Sequence, residues 1–335
     1  MMHAFQSRLR PMTVTDILDA TFRLYRDNFL TFFGIATMLQ IPFIVLYLLV
    51  TMFFGQGIPS DLVELAQMVP RFNLSEDSLT DLPIGNMVGY FGFVILISLF
   101  EAFFVVQIIN GALTHAISQR YLDQPIGMLE AYSNLGSRRI GNLVLNGVII
   151  SLFSMIVSLL IVGGLFFSFV LMGTGFGQGS NSGFLLIASG FVGILVSLLI
   201  GLILLVLLGM TFLFAPQAIV LEDSNAWGAI RRSWQLVRSS FWRIMLILLV
   251  FWLLIQLVTI GPSYMLNLLL NVVFDPLNDF AIHQAMSLLI SYFLQLLVLP
   301  LQLCAYTLLY YDLRVRKEGY DMQLMAQDPT PSMVS

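Results

Sequence analysis

The residues of this chain that could do chemistry inside a membrane are one carboxylic acid and a set of amides. Glu101 lies near the middle of a long apolar run. An ionised carboxylate there costs about 2.5–3.5 kcal/mol on insertion scales. Such a residue either contacts a substrate or couples to a proton, or it is neutral and hydrogen-bonds a neighbouring helix. The apolar runs contain no Lys or Arg that could pair with Glu101, which favours the neutral form.

Amide side chains in lipid usually join helices, at roughly 0.6 kcal/mol each, and less often bind a substrate. Gln107 and Asn110 lie nearly opposite Glu101 by the 3.6-residue period of a helix. We therefore expect protein on both sides of that span. The candidate intramembrane polar site comprises Glu101, Gln107, Asn110, Asn142, Asn146, Gln256, Gln295 and Gln302.

Enzymatic motifs are missing from the sequence. His3, His115 and His283 share no motif, and no HExxH, GxSxG or paired-carboxylate pattern occurs in a plausible context. Cys304 is the only cysteine, so no intrachain disulfide can form. We therefore expect no catalytic, cofactor-binding or metal-binding residue, and a protein that is not an enzyme.

The polar residues must be positioned by long apolar helices. Hydrophobic residues make up 58% of the chain and charged residues 10%, which a water-soluble domain could not accommodate. A helix that spans a bilayer needs about 20 residues. Runs of at least that length cover residues 29–54, 86–116, 143–172, 184–214, 244–274 and 282–310. The sequence thus predicts an all-α polytopic protein with six transmembrane helices.

The distribution of basic residues predicts the orientation. Of the 15 Lys and Arg residues, all except Arg71 fall in segments that six spans would place on one side of the membrane. Basic segments stay in the cytoplasm, so we expect both termini there, in a bacterial plasma membrane. The Arg groups could bind anionic lipid headgroups, or could act only as topology determinants. The candidate headgroup contacts are Arg138, Arg139, Arg231, Arg232, Arg238 and Arg243. We expect no nucleic-acid partner, and the oligomeric state stays open.

A short amphipathic segment precedes each odd-numbered span, which suggests three units of interfacial helix and hairpin within one membrane domain, residues 1–320. The units cover about 14–122, 125–224 and 225–319, and residues 321–335 are predicted to be a disordered tail. Thr13 and Asp16 resemble a capping box at the first segment. We expect Asp123 to cap the second segment and Ser224 the third. In the third, the stripe facing lipid is Trp227, Ile230, Trp234, Val237 and Phe241.

Three stretches of the sequence resemble one family. They are RPMTVTDILDATFRLYRDNFLTFFGI at the start, FAPQAIVLEDSNAWGAIRRSWQLVRSSFWRI in the middle and LLYYDLRVRKEGYD near the end. The family is the bacterial membrane domain associated with glycerophosphoryl diester phosphodiesterases, as a stand-alone member. The resemblance implies a multi-pass plasma-membrane protein with interfacial helices and no assigned activity. The catalytic phosphodiesterase domain has no counterpart among these 335 residues.

Two functional hypotheses follow. The first is a non-enzymatic membrane protein that assists or organises envelope or lipid-related processes. The second is a transporter or lipid-translocating protein that uses the polar residues around Glu101. A solvent-reachable cavity at Glu101 would favour transport, whereas a packed and hydrogen-bonded Glu101 would favour a structural role.

Overall fold

The structure is a computed structural model that describes residues 12–57, 85–178, 181–275 and 279–318. These residues form helices, and no strand occurs among them. The α-helices are α1 (Val14–Asp27), α2 (Phe29–Phe54), α3 (Gly85–Phe100), α4 (Val106–Tyr121), α5 (Met128–Ser133), α6 (Gly136–Gln178), α7 (Asn181–Phe212), α8 (Ala215–Glu222), α9 (Ala226–Arg238), α10 (Phe241–Val273) and α11 (Phe280–Glu318). Arg71 and the predicted tail lie outside the described residues.

Six helical segments within the described residues are long and apolar enough to cross a membrane. They begin at Phe29, Met87, Gly136, Ser182, Phe241 and Phe280. The predicted all-α protein with six spans is therefore confirmed. The helices run beyond several of the predicted apolar runs because their polar ends continue the same backbone hydrogen bonding; α11, for example, extends to Glu318.

The ends of the amphipathic helices differ in part from the prediction. Thr13 and Asp16 do form the capping box of α1. Asp123 does not cap the second segment: it has a φ of 59°, and α5 begins five residues later at Met128. Ser224 is not the cap of α9, because left-handed Asp223 ends α8 and the next extended residue is Asn225. The side chain of Asn225 accepts a hydrogen bond of 2.8 Å from the backbone N–H of Gly228.

Each amphipathic helix is attached to a span by one polar side chain. The hydroxyl of Tyr25 donates to the carbonyl of Leu297 at 2.6 Å, and that of Tyr132 donates to the carbonyl of Ile35 at 2.5 Å. In α9, Ser233 accepts a hydrogen bond from the backbone N–H of Phe214 at 3.0 Å. Burial raises the pKa of Tyr25 to about 12, so its hydroxyl is a neutral donor at physiological pH. These bonds fix where each short helix meets the backbone of a long one.

The described residues form two compact units. Those up to Gly136 and from Trp242 onward form unit 1, and Ser137–Phe241 forms unit 2. In unit 1, α11 packs against α1, α2 and α4. In unit 2, α9 packs against α7 and α8. Small residues allow α6 and α7 to approach closely, since a methyl group added at Gly164 or Gly193 would overlap Ser197 or Ser168.

A buried carboxylate joins three parts of unit 1 at one end of α11. The side chain of Asp312 is 0% exposed and lies 2.9 Å from the guanidinium of Arg243 and 3.0 Å from that of Arg316. It also accepts a hydrogen bond from the backbone N–H of Met12 at 2.8 Å. Both arginines donate in turn to the carbonyl of Met12, at 2.8 Å and 2.7 Å. Asp312 therefore attaches the segment before α1 to the start of α10 and the end of α11.

We predict that Asp312→Asn strongly destabilises the protein. Breaking a buried charge pair costs up to about 3–5 kcal/mol. We expect a loss toward the lower end of that range, because the side chains of Arg243 and Arg316 are 29% and 37% exposed and water can screen the charges that remain. The measurement is thermal unfolding of the purified protein in detergent, followed by circular dichroism. Asp223→Asn is the matched control, because its carboxylate pairs with Arg139 at an exposed position where such pairs contribute about 0.2–1 kcal/mol. Equal losses for the two variants would contradict the prediction.

Candidate functional site

The carboxyl group of Glu101 is held between three helical segments of unit 1. Glu101 begins a π-helical turn, Glu101–Val105, between α3 and α4. Such turns are wider than α-helical ones and often occur at functional sites. The amide of Gln40 on α2 donates to Oε1, and the hydroxyl of Tyr292 on α11 donates to Oε2 at 3.3 Å. Both donors are neutral, so Glu101 has hydrogen-bond partners but no countercharge among them.

The surroundings of Glu101 are packed. Tyr47 lies two helical turns along α2 from Gln40, and its hydroxyl is 2.8 Å from that of Ser98. The rings of Tyr47 and Tyr292 are 5.7 Å apart between centroids. Tyr47 also belongs to a buried apolar cluster with Tyr90. Aromatic rings of α2 and α11 thus pack beside the half-buried Glu101.

The predicted polar residues do not form one site. Gln107 is buried and donates a long hydrogen bond of 3.4 Å to the carbonyl of Ala102 in the π-helical turn. The side-chain oxygen of Asn110 is buried without a hydrogen-bond partner among the described residues. Asn142 and Asn146 belong to unit 2, where Asn146 is buried and its oxygen likewise has no partner among the residues described. Glu101 lies apart from the three glutamines of the last two spans.

Those three glutamines line one cavity in unit 1. It lies between α10 and α11 and has a volume of about 310 Å³. Apolar residues of both helices complete its wall, and none of the lining residues is charged. The polar residues that line it, which define the amide cavity, are Gln256, Thr259, Ser263, Ser291, Gln295 and Gln302.

The antiparallel helices α10 and α11 are joined on both sides of the amide cavity. Toward the α10–α11 connection, the hydroxyl of Ser287 donates to the side-chain oxygen of Asn267. One turn further, His283 and Asn271 form a side-chain hydrogen bond of 2.7 Å. Near the other ends of the helices, Arg243 pairs with Asp312. The two contacts near the connection share one register, because a step of four residues along α10 matches a step of four back along α11.

Two amides of the cavity make no hydrogen bond to any described residue. They are Gln256 and Gln295, one on each helix. The hydroxyls of Thr259, Ser263 and Ser291 instead donate to carbonyls of their own helices. An amide without a partner costs about 4–8 kcal/mol in a hydrocarbon that forms no hydrogen bonds. The amide cavity therefore favours an occupant that can donate and accept hydrogen bonds.

Unit 2 concentrates charge at one end. Its basic residues are Arg138, Arg139, Arg231, Arg232 and Arg238, against the two acids Glu222 and Asp223. Arg139 binds Asp223 through two hydrogen bonds, at 2.5 Å and 2.9 Å, and Arg232 pairs with Glu222 at 3.0 Å. The hydrogen bonds from Arg139 lower the pKa of Asp223, with a further contribution from the charge of Arg138.

After this pairing, unit 2 has an exposed basic face, defined by Arg138, Arg231, Arg238 and Trp227. Arg231 and Arg238 form no ion pair with the described residues. Trp227 was expected to share a stripe facing lipid with Ile230, but it is 68% exposed and lies on the outer side of α9 with Arg231. Ile230 and Val237 of that stripe are instead buried, on the packed side of α9 that also contains Ala229 and Leu236. Arg243 belongs to unit 1 and is engaged by Asp312.

Fold and polar groups together define an all-α, multi-pass membrane protein with hydrogen-bonding groups between its spans. The chain belongs to the family described as a domain of unknown function (DUF7847), which matches residues 47–309. No curated protein and no solved structure matches the chain. The family description names no activity. The resemblance to the membrane domain associated with glycerophosphoryl diester phosphodiesterases stays a prediction.

We predict that Glu101 tolerates an amide but not an aliphatic side chain. In Glu101→Gln, the new carbonyl still accepts from Gln40 and the new amide group can donate to the oxygen of Tyr292. In Glu101→Leu, the buried amide of Gln40 loses its acceptor, which costs about 1–3 kcal/mol. Thermal unfolding in detergent should therefore separate the two variants. If Glu101→Gln is as unstable as Glu101→Leu, the site requires an ionised carboxylate instead.

We also predict that the Arg139–Asp223 pair loses its stabilising effect in acid. Because the pKa of Asp223 is lowered by folding, its contribution is present above the unfolded value of about 3.9 and is lost as pH falls through the folded value. The difference in melting temperature between the wild type and Asp223→Asn, measured from about pH 7 to about pH 3, should shrink toward zero. A difference that does not change with pH would contradict this assignment.

Proposed function

We propose that the protein is a non-enzymatic component of a bacterial plasma membrane that assists or organises lipid-related processes of the envelope. In this proposal both termini are cytoplasmic, and the basic face of unit 2 binds anionic lipid headgroups on that side. The excess of exposed Arg on unit 2 carries the proposal. The resemblance to a family of lipid-associated membrane domains agrees with it.

The first support is the positive charge that remains on unit 2 after its two acids have paired with arginines. Glu222 and Asp223 are each bound by one arginine, so neither neutralises Arg231 or Arg238. Exposed basic groups near a membrane surface attract anionic lipid by about 1 kcal/mol each. Topology alone requires only that positive charge be present on one side. It does not require that acids and arginines be paired so that exposed arginines remain on one face.

The second support is the geometry of that face. Residues Trp227, Arg231 and Arg238 recur on one side of α9 at helical spacing, and all three are exposed. Tryptophan is enriched at membrane–water interfaces, and arginine binds phosphate through two parallel hydrogen bonds. The N-terminus of α6 carries Arg138, so free backbone N–H groups add to the attraction for a phosphate. An aromatic ring beside guanidinium groups fits the headgroup region of an anionic lipid.

A transporter whose path runs through Glu101 is the weaker candidate. Both oxygens of Glu101 are engaged, by Gln40 and Tyr292, and Glu101 does not line the amide cavity. These two hydrogen bonds agree with a structural role in which Glu101 joins neighbouring helices. A flux assay of Glu101→Gln separates this role from a proton-coupling one, because unchanged flux counts against proton coupling.

We predict that the triple variant Arg138→Gln, Arg231→Gln, Arg238→Gln loses affinity for anionic lipid. With about 1 kcal/mol per arginine, retention of phosphatidylglycerol should fall by roughly a hundredfold relative to phosphatidylcholine. Native mass spectrometry of the protein released from mixed-lipid nanodiscs measures the bound lipids.

A double variant on α1, Arg23→Gln with Arg26→Gln, is the control, because three aspartates already balance those charges. Unchanged phosphatidylglycerol retention in the triple variant would overturn the proposed function. A loss in the control variant of the same size as in the triple variant would do so as well, since the binding would then not reside in the basic face.

A further inference from the structure

The amide cavity lies deep within two membrane-spanning helices. Gln256 lies about 22 Å along α10 from its first residue, at about 1.5 Å per residue, and Gln295 lies at a similar distance along α11. Both positions are near the middle of a hydrocarbon layer about 30 Å thick. Polar residues at this depth mark ligand sites or pathways unless a neighbouring helix binds them. Neither amide forms a hydrogen bond with the described residues, so a molecule bound in the cavity could supply the missing hydrogen bonds.

The lining selects for an uncharged occupant. The amide of each glutamine offers two N–H donors and an oxygen acceptor, and the hydroxyls of Thr259, Ser263 and Ser291 add acceptor lone pairs. No arginine, lysine or histidine lines the cavity to neutralise a phosphate, and no acid lines it to pair with an amine. A group with several hydroxyls can donate and accept at once, which matches both kinds of lining atom. A charged group would lose its hydration without gaining a counterion.

The volume and the opening fit the headgroup of a lipid. About 310 Å³ is the liquid volume of roughly ten water molecules, enough for a compact headgroup. The cavity is open on one side, since Ser291 and Gln295 are exposed. One helical turn from Gln256 in either direction along α10 lie large apolar side chains that are also exposed, Trp252 at 55% and Ile260 at 43%. Polar groups inside and apolar groups at the rim match an amphiphile whose chains remain in the bilayer.

Entry along the helices is restricted. Toward the α10–α11 connection, the hydrogen bonds Asn267–Ser287 and Asn271–His283 close the next two turns. Near the other ends of the helices, Arg243 pairs with Asp312. A soluble molecule arriving from the side of the α10–α11 connection would have to break the two hydrogen bonds there. A molecule that diffuses within the membrane reaches the side opening directly.

We propose that the amide cavity between α10 and α11 binds the uncharged, hydroxyl-rich headgroup of a membrane lipid, such as a glycosyl diacylglycerol, with its acyl chains against the exposed apolar rim. This site is separate from the basic face, which is in unit 2 and selects negative charge. The protein thus contacts two chemically different classes of lipid through different residues.

The test uses the full chain in phosphatidylcholine nanodiscs that contain equal amounts of diglucosyl diacylglycerol and phosphatidylglycerol with the same acyl chains. Native mass spectrometry counts the lipids retained after release. The double variant Gln256→Leu, Gln295→Leu removes the free amides at similar side-chain volume, so it should fold with unchanged or higher melting temperature. We expect its retention of the glycosyl lipid to fall about tenfold, the effect of losing the hydrogen bonds of two amides.

Two controls make the result specific. Gln235→Leu removes an exposed amide from α9 and should leave glycosyl-lipid retention unchanged. The triple arginine variant should lose phosphatidylglycerol but keep the glycosyl lipid, so failure of the proposed function and failure of this site give different results.

Three outcomes would overturn the proposal. In the first, the wild type retains phosphatidylglycerol rather than the glycosyl lipid in a manner that depends on Gln256 and Gln295. In the second, no lipid is retained in an amide-dependent manner, which would leave the cavity to water. In the third, the double variant changes the oligomeric state of the protein but not its lipid retention, which would assign the opening to a second copy.

Discussion

A bilayer interior supplies no water to polar groups, and this constraint governs the arrangement of unit 1. Two of its acids, Glu101 and Asp312, both have hydrogen-bond partners, but of different chemistry. Asp312 is bound by two guanidinium groups and a backbone N–H, so it can be a charged group with charged partners. Glu101 accepts hydrogen bonds from neutral groups, the amide of Gln40 and the phenol of Tyr292. Each acid joins segments that are far apart in sequence, so satisfying one carboxylate also fixes the packing of several helices.

Between α10 and α11, two amides have no hydrogen-bond partner among the described residues, so polar groups of the bilayer interior are only partly satisfied there. Their contacts at both ends hold the same register, yet the middle of the pair is separated by the amide cavity. Pro262 precedes the lining residue Ser263, and Pro300 follows the lining residue Leu299. A proline inside a helix removes a backbone donor and bends the helix. Prolines at the level of the cavity on both helices are therefore a physical reason for the two helices to pack less closely there.

Sequence reasoning recovered the spans because length and hydrophobicity alone decide which segments cross a bilayer. It recovered the α1 capping box because both partners lie within one turn. It missed the partners of Glu101, since Gln40 and Tyr292 lie in other spans and no local pattern links them to it. The α10 side of the seam between α10 and α11 could have been found, because Thr259, Ser263, Asn267 and Asn271 recur every four residues. That periodicity becomes visible only when the hydroxyl and amide side chains are taken together.

The two units meet the membrane with opposite chemistry. In unit 2 the close contact of α6 and α7 is made through glycine and serine, and its arginines gather at one end. Unit 1 instead places amides, hydroxyls and a carboxyl group between its spans. A lipid that is held by its charge gains the most binding free energy at the membrane surface, where arginine does not have to be moved out of water. A lipid that is held by neutral hydroxyls gains most at depth, because hydrogen bonds strengthen when water does not compete for them. The separation of arginines from amides is therefore what the two proposed lipid sites require, given the strength of each interaction in its own environment.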